Sequence, residues 1–349
     1  MIKKIKIANK FIGQGYPCFI IAEAGVNHNG KIDLAKKMID VAKSTSADAI
    51  KFQAFRANEL VSSTAPKATY QVKAVPNLTQ YEMLKRLELS ESELEELSRY
   101  CQRKKILFIS SAFDFQSAEL LQKLKVPAFK IGSGELTNLP LLKKVAQYQK
   151  PIILSTGMAN LQEIAQAIRV IYSTGNRSLV LLHCTSNYPT KYEDVNLRAM
   201  ITLKQEFNLP VGYSDHTEGL EIPVAAVAMG AGVIEKHFTL DRNLPGPDHQ
   251  ASLEGEELKR MIQSIRKIEL ALGDGIKRAQ KAELEMRKIV RRSLVAAIDI
   301  AKGTLISIDM VAIKRPGTGI KPAFLSKIIH KKAKTNIKKD QLLSWTDFE

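Results

Sequence analysis

A 30-residue stretch contains the repeating unit that decides the fold of this chain. Residues 128–157 read AFKIGSGELTNLPLLKKVAQYQKPIILSTG. An apolar run at 128–134 ends in Gly-Ser-Gly, a segment with helical periodicity follows at 139–147, and a second apolar run at 151–157 ends in Ser-Thr-Gly. Two strands joined through a helix pair in parallel, because the helix carries the chain back along the sheet. The stretch therefore predicts one βαβ unit.

The same unit recurs through the first 275 residues. The strand-like runs are 18–25, 49–55, 106–112, 128–134, 151–157, 179–185, 211–215 and 233–240. The helical candidates are 31–43, 91–104, 115–125, 139–147, 161–172, 197–207, 220–229 and 255–272. Eight alternating units over about 250 residues are what a closed (β/α)8 barrel requires. The sequence therefore predicts an α/β fold, a TIM barrel.

The sequence changes character after the last of these helices. Gly273-Asp274-Gly275 interrupts it, and the residues that follow are charged and polar. Short β-like runs then appear at 293–298, 304–307 and 311–314. We predict a barrel over 1–275, a linker over 276–290 and a small β-rich domain over 291–349.

Composition excludes several classes of protein. The chain has 349 residues, 45% hydrophobic and 25% charged, which is typical of a globular protein and not of a disordered one. Its longest apolar runs fall far short of the ~20 residues that cross a bilayer, and the amino terminus lacks the pattern of a signal peptide, so we expect a cytoplasmic protein with no membrane partner. The three cysteines form no Cys-x-x-Cys pair and predict reduced thiols.

The positive charge is concentrated near the carboxyl terminus. The formal net charge is +16, and residues 276–349 hold 17 lysines and arginines against 7 acidic residues, a net charge of +10. Such a segment can bind nucleic acid, an acidic membrane surface or an anionic ligand. Because no aromatic residues alternate with the charges and no nucleic-acid motif occurs, we favour a solvated basic surface.

The carboxyl ends of the predicted strands are unusually polar. In a barrel of this type these ends carry the chemistry. In chain order they hold Glu23, Lys51 and Gln53, Ser110 and Ser111, Lys130 with Ser133 and Glu135, Ser155, His183 with Tyr188 beyond it, Ser214 and His216, and Glu235 with His237. Residues two apart lie on the same face of a strand. The side chains of Lys51 and Gln53 should therefore point to one side of the sheet, and so should those of Glu235 and His237.

Two of these residues are lysines, which are costly to bury unless they meet an anion. Lys51 and Lys130 are accompanied by the hydroxyls of Ser111, Ser133, Ser155 and Ser214. Together they predict a site for a phosphate and a carboxylate. The alternative is a closed internal ion network in which the lysines pair with Glu23 or Glu135.

Two histidines end adjacent predicted strands. The imidazoles of His216 and His237 can converge on one divalent metal ion, and Glu23 at the seam of the barrel can approach the same place. Water and substrate oxygens would complete such a ligand-poor site, as in catalytic metal sites. The alternative is a pair of hydrogen-bonded histidines with no metal.

Three other residues have plainer interpretations. His28, in the turn Asn27-His28-Asn29-Gly30, is expected to satisfy backbone groups of its loop. Met158 is expected to pack in the barrel. Trp345, the single tryptophan, is expected to fill the core of the small domain.

The strand-end motifs resemble one family. They are Glu23–Gly30 (EAGVNHNG), Lys51–Gln53 (KFQ), Lys130–Glu135 (KIGSGE), Leu154–Met158 (LSTGM), Leu182–Thr185 (LHCT), Tyr213–His216 (YSDH), Glu235–Thr239 (EKHFT), Gly246–His249 (GPDH) and Lys314–Gly319 (KRPGTG). In this order they resemble the bacterial sialic acid synthases, which include N-acetylneuraminate and N,N'-diacetyllegionaminate synthases.

The resemblance implies a condensation that depends on phosphoenolpyruvate. Carbon 3 of phosphoenolpyruvate attacks the aldehyde of an open-chain N-acylated hexosamine, water adds at carbon 2, and phosphate leaves. N-acetylmannosamine is the first expected sugar, which makes the chain an N-acetylneuraminate synthase. The alternative is an N,N'-diacetyllegionaminate synthase that acts on 2,4-diacetamido-2,4,6-trideoxymannose.

The resemblance also assigns roles to residues. Mn²⁺ or Mg²⁺ would be held by His216 and His237. Phosphoenolpyruvate would be held by Lys51, Ser111, Lys130, Ser133, Ser155 and Ser214. Glu135 would handle protons, Glu23 would orient the sugar or a water molecule, and the sugar would contact Gln53, Tyr188 and Asp248. The carboxyl-terminal part resembles the antifreeze-like SAF domain, which implies a domain-swapped homodimer in which Arg315 binds the N-acyl group.

One residue and one motif bear on the place of this chain within the family. Ser186 stands where relatives often have Asn, and the Gly-Ser-Gly-Glu motif disfavours the pseudaminic acid synthases.

Two rival functions are also considered. One rival is a Schiff-base aldolase with Lys51, Lys130 or Lys236 as nucleophile. The other is a nucleic-acid-binding protein that uses the basic carboxyl-terminal segment.

Overall fold

The computed structural model describes residues 4–349 and divides the chain into two units. The first ends at Gly273, and the second runs from Asp274 to Glu349. No helix within the described residues is long and apolar enough to cross a lipid bilayer. Cys18, Cys101 and Cys184 are free, buried thiols.

The first unit begins with a hairpin that the sequence analysis left unassigned. Strands β1 (Ile5–Ile7) and β2 (Lys10–Ile12) pair antiparallel. Their isoleucines are buried against inward-facing residues of the barrel strands, such as Phe19, Ala49 and Val233. Because these partners stand at the starts of their strands, the hairpin closes the amino-terminal end of the barrel.

Eight parallel strands form the barrel. They are β3 (Phe19–Gly25), β4 (Ala49–Ala54), β5 (Leu107–Ala112), β6 (Phe129–Ile131), β7 (Ile152–Ser155), β8 (Leu179–His183), β9 (Val211–Asp215) and β10 (Val233–Thr239). Each strand pairs with the next, and β10 pairs with both β9 and β3, so the sheet is closed. A two-residue strand, β11 (Leu253–Glu254), adds to the end of β10. The predicted TIM barrel is confirmed.

Helices surround the strands. They are α1 (Ile32–Ser44), α2 (Ala57–Leu60), α3 (Thr69–Ala74), α4 (Gln80–Leu87), α5 (Glu91–Lys104), α6 (Phe115–Lys123), α7 (Leu139–Gln147), α8 (Leu161–Ser173), α9 (Ala199–Phe207), α10 (Glu221–Ala228) and α11 (Gly255–Leu272). The short helices α2 to α4 occupy the long connection between β4 and α5, for which the sequence analysis assigned no element. A large apolar core lies between the sheet and the helix layer.

The second unit has a separate core. It contains α12 (Leu284–Val290), β12 (Ser293–Ala296), β13 (Val311–Lys314) and α13 (Leu325–Ile328), with β12 and β13 antiparallel. Its core includes Leu294, Ile306 and Leu343. The predicted run at 304–307 forms only an isolated bridge, at Leu305. The expectation for Trp345 is wrong: its side chain is 49% exposed and packs edge-on to Phe324, because it sits on a terminal 3-10 turn outside the core.

Candidate active site

Strand register places the polar strand ends beside one another. Glu23 pairs with Lys51 on one side and with His237 on the other. Ser111 pairs with both Gln53 and Lys130, and Ser214 pairs with Glu235. A cavity of about 210 Å³ opens among them, and it is lined by the predicted residues Glu23, Lys51, Gln53, Ser111, Lys130, Ser133, Ser155, Tyr188, Ser214, His216 and His237.

Two ammonium groups and two carboxylates form a charged cluster inside this cavity. Lys51 Nζ lies 2.8 Å from Glu23 Oε2 and 3.8 Å from Glu235 Oε1. Lys130 Nζ lies 3.5 Å from the same Glu235 oxygen. Each of the four residues is at most 4% exposed. The ion network that the sequence left open is therefore present through Glu23, but its second carboxylate is Glu235 and not Glu135.

Burial and mutual attraction shift the pKa values of three of these groups in different directions. Burial raises the pKa of Glu23 to about 7, against the attraction of Lys51. Burial also acts to raise the pKa of Glu235, but Lys130 and Lys51 outweigh it and hold that pKa below its usual value. Burial lowers the pKa of Lys130. Near neutral pH, Glu23 is therefore partly protonated.

Serine hydroxyl groups lie next to the two lysines, and together they form a surface that can bind anions. Lys51 donates to Ser111 Oγ (3.1 Å), and Lys130 donates to Ser155 Oγ (2.7 Å). The backbone N–H of Gly157 donates to Ser133 Oγ at 3.0 Å. A Cβ atom on Gly157 would approach this oxygen to 2.8 Å, so any larger residue here would displace the Ser133 hydroxyl. Ammonium and hydroxyl donors of this kind suit phosphate and carboxylate oxygens.

The two predicted metal-binding histidines lie side by side in the cavity wall, with their rings edge to face. Their ring centroids are 5.5 Å apart. His216 Nδ1 lies 2.7 Å from the carbonyl oxygen of Thr185, which can only accept, so Nδ1 carries the proton. Burial lowers the pKa of His216 and lowers that of His237 well below its usual value, so both rings are neutral near pH 7. His216 Nε2 therefore keeps a free lone pair.

These imidazoles fit a divalent metal ion of the open, catalytic type. His237 Nδ1 is buried and has no hydrogen-bond partner among the described residues, which is costly unless something binds it. No group of three or more His, Cys, Asp or Glu side chains arranged to hold a metal occurs in residues 4–349. The protein would thus supply two nitrogen ligands, and water or substrate would supply the others.

An aromatic pair borders the histidines. The ring of Tyr188 lies 4.1 Å from that of His216 and 5.6 Å from that of His237. Tyr70, on α3, packs against Tyr188 at 5.2 Å. Aromatic faces bind the C–H surfaces of sugars through apolar contact. The connection between β4 and α5 thus supports the cavity-lining Tyr188 from behind, a contact that was not predicted from the sequence.

Three predicted residues do not line the cavity. Glu135 follows the cavity-lining Ser133-Gly134, but its carboxylate accepts a hydrogen bond from Asn138 (2.7 Å). Asp248 is buried near Lys51, and burial raises its pKa to about 6. Arg315 lies in the second unit, just after β13 and exposed, so its expected contact with a sugar across a homodimer stays a prediction.

Histidines outside the cavity stabilise the loops around it. His249 bonds Thr239 Oγ1 (2.7 Å) and Asn29 Oδ1 (3.2 Å), so it joins the loop that carries Asp248 to the loop that follows β3. His28 Nδ1 accepts the backbone N–H of Gly30 (3.1 Å). The structural interpretation of His28 is confirmed.

Several cavity residues were not predicted from the sequence. Glu235 was noted only as sharing a face with His237, and this shared face is the one signal for it in the sequence; its position opposite Ser214 depends on the register of β9 with β10. Cys184 and Phe113 also line the cavity. The expectation for Met158 is wrong: it lines the cavity and is 75% exposed, because its backbone follows β7 in a left-handed turn with φ 63°.

A larger cavity lies at the opposite end of the barrel. Its volume is about 730 Å³, and its walls include Cys18, Val211 and Gly232, which stand at or just before the starts of their strands. Glycine, proline and aliphatic residues form most of these walls. The smaller cavity is the better candidate for an active site, because it holds the buried charges and the free imidazole nitrogens.

Comparison with known proteins identifies the family. The NeuB family matches residues 38–277, and the SAF domain matches residues 291–349. This chain belongs to the NeuB family. The resemblance to the sialic acid synthases is confirmed, and the chain is an enzyme of that family.

Individual relatives and a solved structure support the same family assignment. The chain is 50% identical to the N,N'-diacetyllegionaminic acid synthase of Legionella pneumophila, with 97% of this chain and 96% of that protein covered. It is also 50% identical to the synthase of the same name from Campylobacter jejuni, with 93% and 98% covered. An N-acetylneuraminic acid (sialic acid) synthetase from Leptospira borgpetersenii superposes with a TM-score of 0.74 at 38% identity, with 82% of this chain and 95% of that chain covered.

Replacing Asp248 with asparagine should change how stability depends on pH. Burial raises the folded-state pKa of Asp248 to about 6, so its ionisation opposes folding as the pH rises from about 4 to above 6. Asp248→Asn removes this cost, and its free energy of unfolding should exceed that of the wild type by up to about 3 kcal/mol at pH 8.

Urea unfolding of both proteins at several pH values measures this difference. The advantage of Asp248→Asn should shrink as the pH falls toward 4. A difference that does not depend on pH would contradict the assignment.

Proposed function

We propose that this enzyme condenses phosphoenolpyruvate with the aldehyde of an open-chain N-acylated hexosamine and releases phosphate. The observation that carries the proposal is one cavity with two contrasting ends. We call Lys51, Lys130 and Ser155, which come from β4, β6 and β7, the cationic end. We call His216, just after β9, and His237, in β10, the imidazole end, and both rings lie beside Tyr188.

Phosphoenolpyruvate fits the cationic end. Its phosphate and carboxylate would take hydrogen bonds from Lys51 and Lys130 and from the nearby serine hydroxyls. Glu235 Oε1 lies within 4 Å of both ammonium groups, and Lys51 also contacts Glu23. Catalysis requires that the bound enol ester present carbon 3 to the histidines, which is the orientation that we propose.

The sugar aldehyde fits the imidazole end. A divalent ion such as Mn²⁺ or Mg²⁺, held by His216 and His237, would polarise the aldehyde oxygen as a Lewis acid. Tyr188 would contact the carbon skeleton of the sugar, with Tyr70 packed behind it. The new bond joins carbon 3 of phosphoenolpyruvate to the aldehyde carbon, whose oxygen takes up a proton.

Proton transfer can be assigned to Glu23. Water must add at carbon 2 before the bond between carbon 2 and the phosphate oxygen breaks, and this water has to lose a proton. A carboxylate that titrates near pH 7 is suited to accept it, and burial raises the pKa of Glu23 to about 7. Glu135, the residue first expected to handle protons, is held by Asn138 outside the cavity lining.

For the sugar, we propose 2,4-diacetamido-2,4,6-trideoxymannose. Two relatives at 50% identity are named N,N'-diacetyllegionaminic acid synthase, and this identity favours the substrate that the sequence analysis gave second. The second candidate is N-acetylmannosamine, which the 38% identical synthetase from Leptospira borgpetersenii favours. The homodimer with Arg315 at a partner's sugar site also belongs to the proposal.

A phosphate-release assay tests the reaction and the sugar together. The full-length enzyme is given phosphoenolpyruvate, Mn²⁺ and, in turn, 2,4-diacetamido-2,4,6-trideoxymannose, N-acetylmannosamine and N-acetylglucosamine. We expect kcat/KM to be at least about tenfold higher for the diacetamido sugar than for the others. A preference for N-acetylmannosamine would reverse the choice of sugar, and no phosphate release with any of them would reject the reaction.

His237→Ala should remove activity without unfolding the barrel. The substitution deletes one of two nitrogen ligands, so turnover should fall at least about 100-fold. The backbone pairing of β10 with β3 does not depend on this side chain, so the circular dichroism spectrum should stay unchanged.

His330→Ala is the matched control, because it removes an exposed imidazole from the second unit. It should keep full activity. Wild-type activity that survives a chelator, together with borohydride trapping of Lys51 or Lys130 by substrate, would contradict the metal role and favour a Schiff-base aldolase.

A further inference from the structure

We infer that Lys236 is a positioning residue that holds His216 from behind the barrel wall and so sets the placement of the two imidazoles relative to each other. The inference rests on the proposed function, in which these imidazoles hold a metal ion. It gives a task to a buried charged pair, Lys236 with Asp215, that no step of the proposed reaction uses.

The side chain of Lys236 points away from the cavity. Neighbouring residues of a strand face opposite sides of the sheet, and Glu235 and His237 both line the cavity. Lys236 is absent from the cavity wall and is fully buried on the helix side of the sheet. It therefore cannot reach a substrate in this cavity, which removes one candidate nucleophile of the Schiff-base alternative.

The ammonium group of Lys236 makes contacts on both sides of His216. Its Nζ lies 2.5 Å from Asp215 Oδ2 and donates to the carbonyl oxygen of Thr217 at 2.5 Å. Thr217 in turn donates its N–H (3.1 Å) and its hydroxyl (2.9 Å) to the Asp215 carboxylate. The turn from Asp215 to Thr217 is thus closed around one cation, with His216 at its middle.

The sheet does not position His216 by itself. The ladder between β9 and β10 ends with the pair Asp215 and Lys236, so His216 lies one residue beyond it. His237, in contrast, stays in the ladder with β3, where it pairs with Glu23. Lys236 is covalently next to His237 and bonds both neighbours of His216. This one side chain therefore links the turn that carries His216, whose ring also bonds the carbonyl oxygen of Thr185, to the strand that carries His237.

Energetics favour a positioning role over a stabilising one. A buried ion pair must repay the desolvation of both charges, and well-packed apolar side chains in its place are often neutral or stabilising. The contribution of the pair Lys236 and Asp215 is then to fix the geometry of the turn that carries His216. Groups that orient metal-binding histidines typically change metal affinity or activity 10–100-fold when they are removed.

The double variant Asp215→Asn/Lys236→Met tests the inference, because it removes both charges and leaves neither one buried alone. The full chain is labelled with ¹⁵N-histidine, and His216→Gln identifies the His216 signal among the six histidines. We expect the imidazole signal of His216 to shift or broaden in the double variant while the signal of His249 keeps its position. In the phosphate-release assay, kcat/KM for the sugar should fall about 10–100-fold, and the KM for phosphoenolpyruvate should change less than about threefold.

The matched control is Lys10→Met/Asp48→Asn, which removes a charge pair at the opposite end of the same barrel. It should leave the His216 signal and the sugar kinetics unchanged. Should the first double variant fail to fold, Thr217→Val provides a milder test. It removes only the hydroxyl that donates to the Asp215 carboxylate, and it should shift the His216 signal in the same direction but by a smaller amount.

Two results would overturn the inference: an unchanged His216 signal in the folded variants, or an equal effect of the control pair. Failure of the proposed function gives a different result. In that case the wild-type enzyme releases no phosphate, while the imidazole spectra still decide whether Lys236 positions His216.

Discussion

Burial of four charged side chains at one end of the barrel is the constraint on which the site depends. Lys51, Lys130, Glu23 and Glu235 lie within a few ångströms of one another and out of contact with bulk water. Such a cluster persists only if its charges are balanced, and in a barrel the strand register fixes that balance. Because burial raises the pKa of Glu23 to about 7, this carboxylate loses part of its negative charge near neutrality, which favours an anion beside Lys51.

Much of this arrangement could be predicted from the sequence, because it follows from periodicity. The βαβ pattern forces parallel strands, and parallel strands bring their carboxyl ends to one edge. Lys51, Ser111, Lys130, Ser155, Ser214, His216 and His237 could therefore be grouped before any geometry was known, and the structure places all of them around one cavity. The same reasoning located the helices, since α5, α7 and α11 have the predicted bounds.

The features that could not be predicted depend on contacts between distant segments. The hairpin formed by β1 and β2 has too few residues to show a period, yet its isoleucines close the barrel. Glu135 stood in a promising motif, but Asn138 holds its carboxylate. The pairing of Lys236 with Asp215 depends on the register of β9 with β10, and the sequence alone does not give that register. Periodicity thus predicts which end of the barrel carries the chemistry, and tertiary contacts decide which side chains face it.

Calorimetric titration of phosphoenolpyruvate into the sugar-free enzyme tests the central claim most directly. Lys130→Met removes one buried ammonium group and leaves its hydroxyl partner Ser155 in place. If the charged cluster is the anion site, the wild-type enzyme binds phosphoenolpyruvate and the variant binds it at least about 100-fold more weakly, as expected for the loss of a buried charged hydrogen-bond donor. Equal affinity of the two proteins would show that the cluster is a closed structural network and would contradict the account.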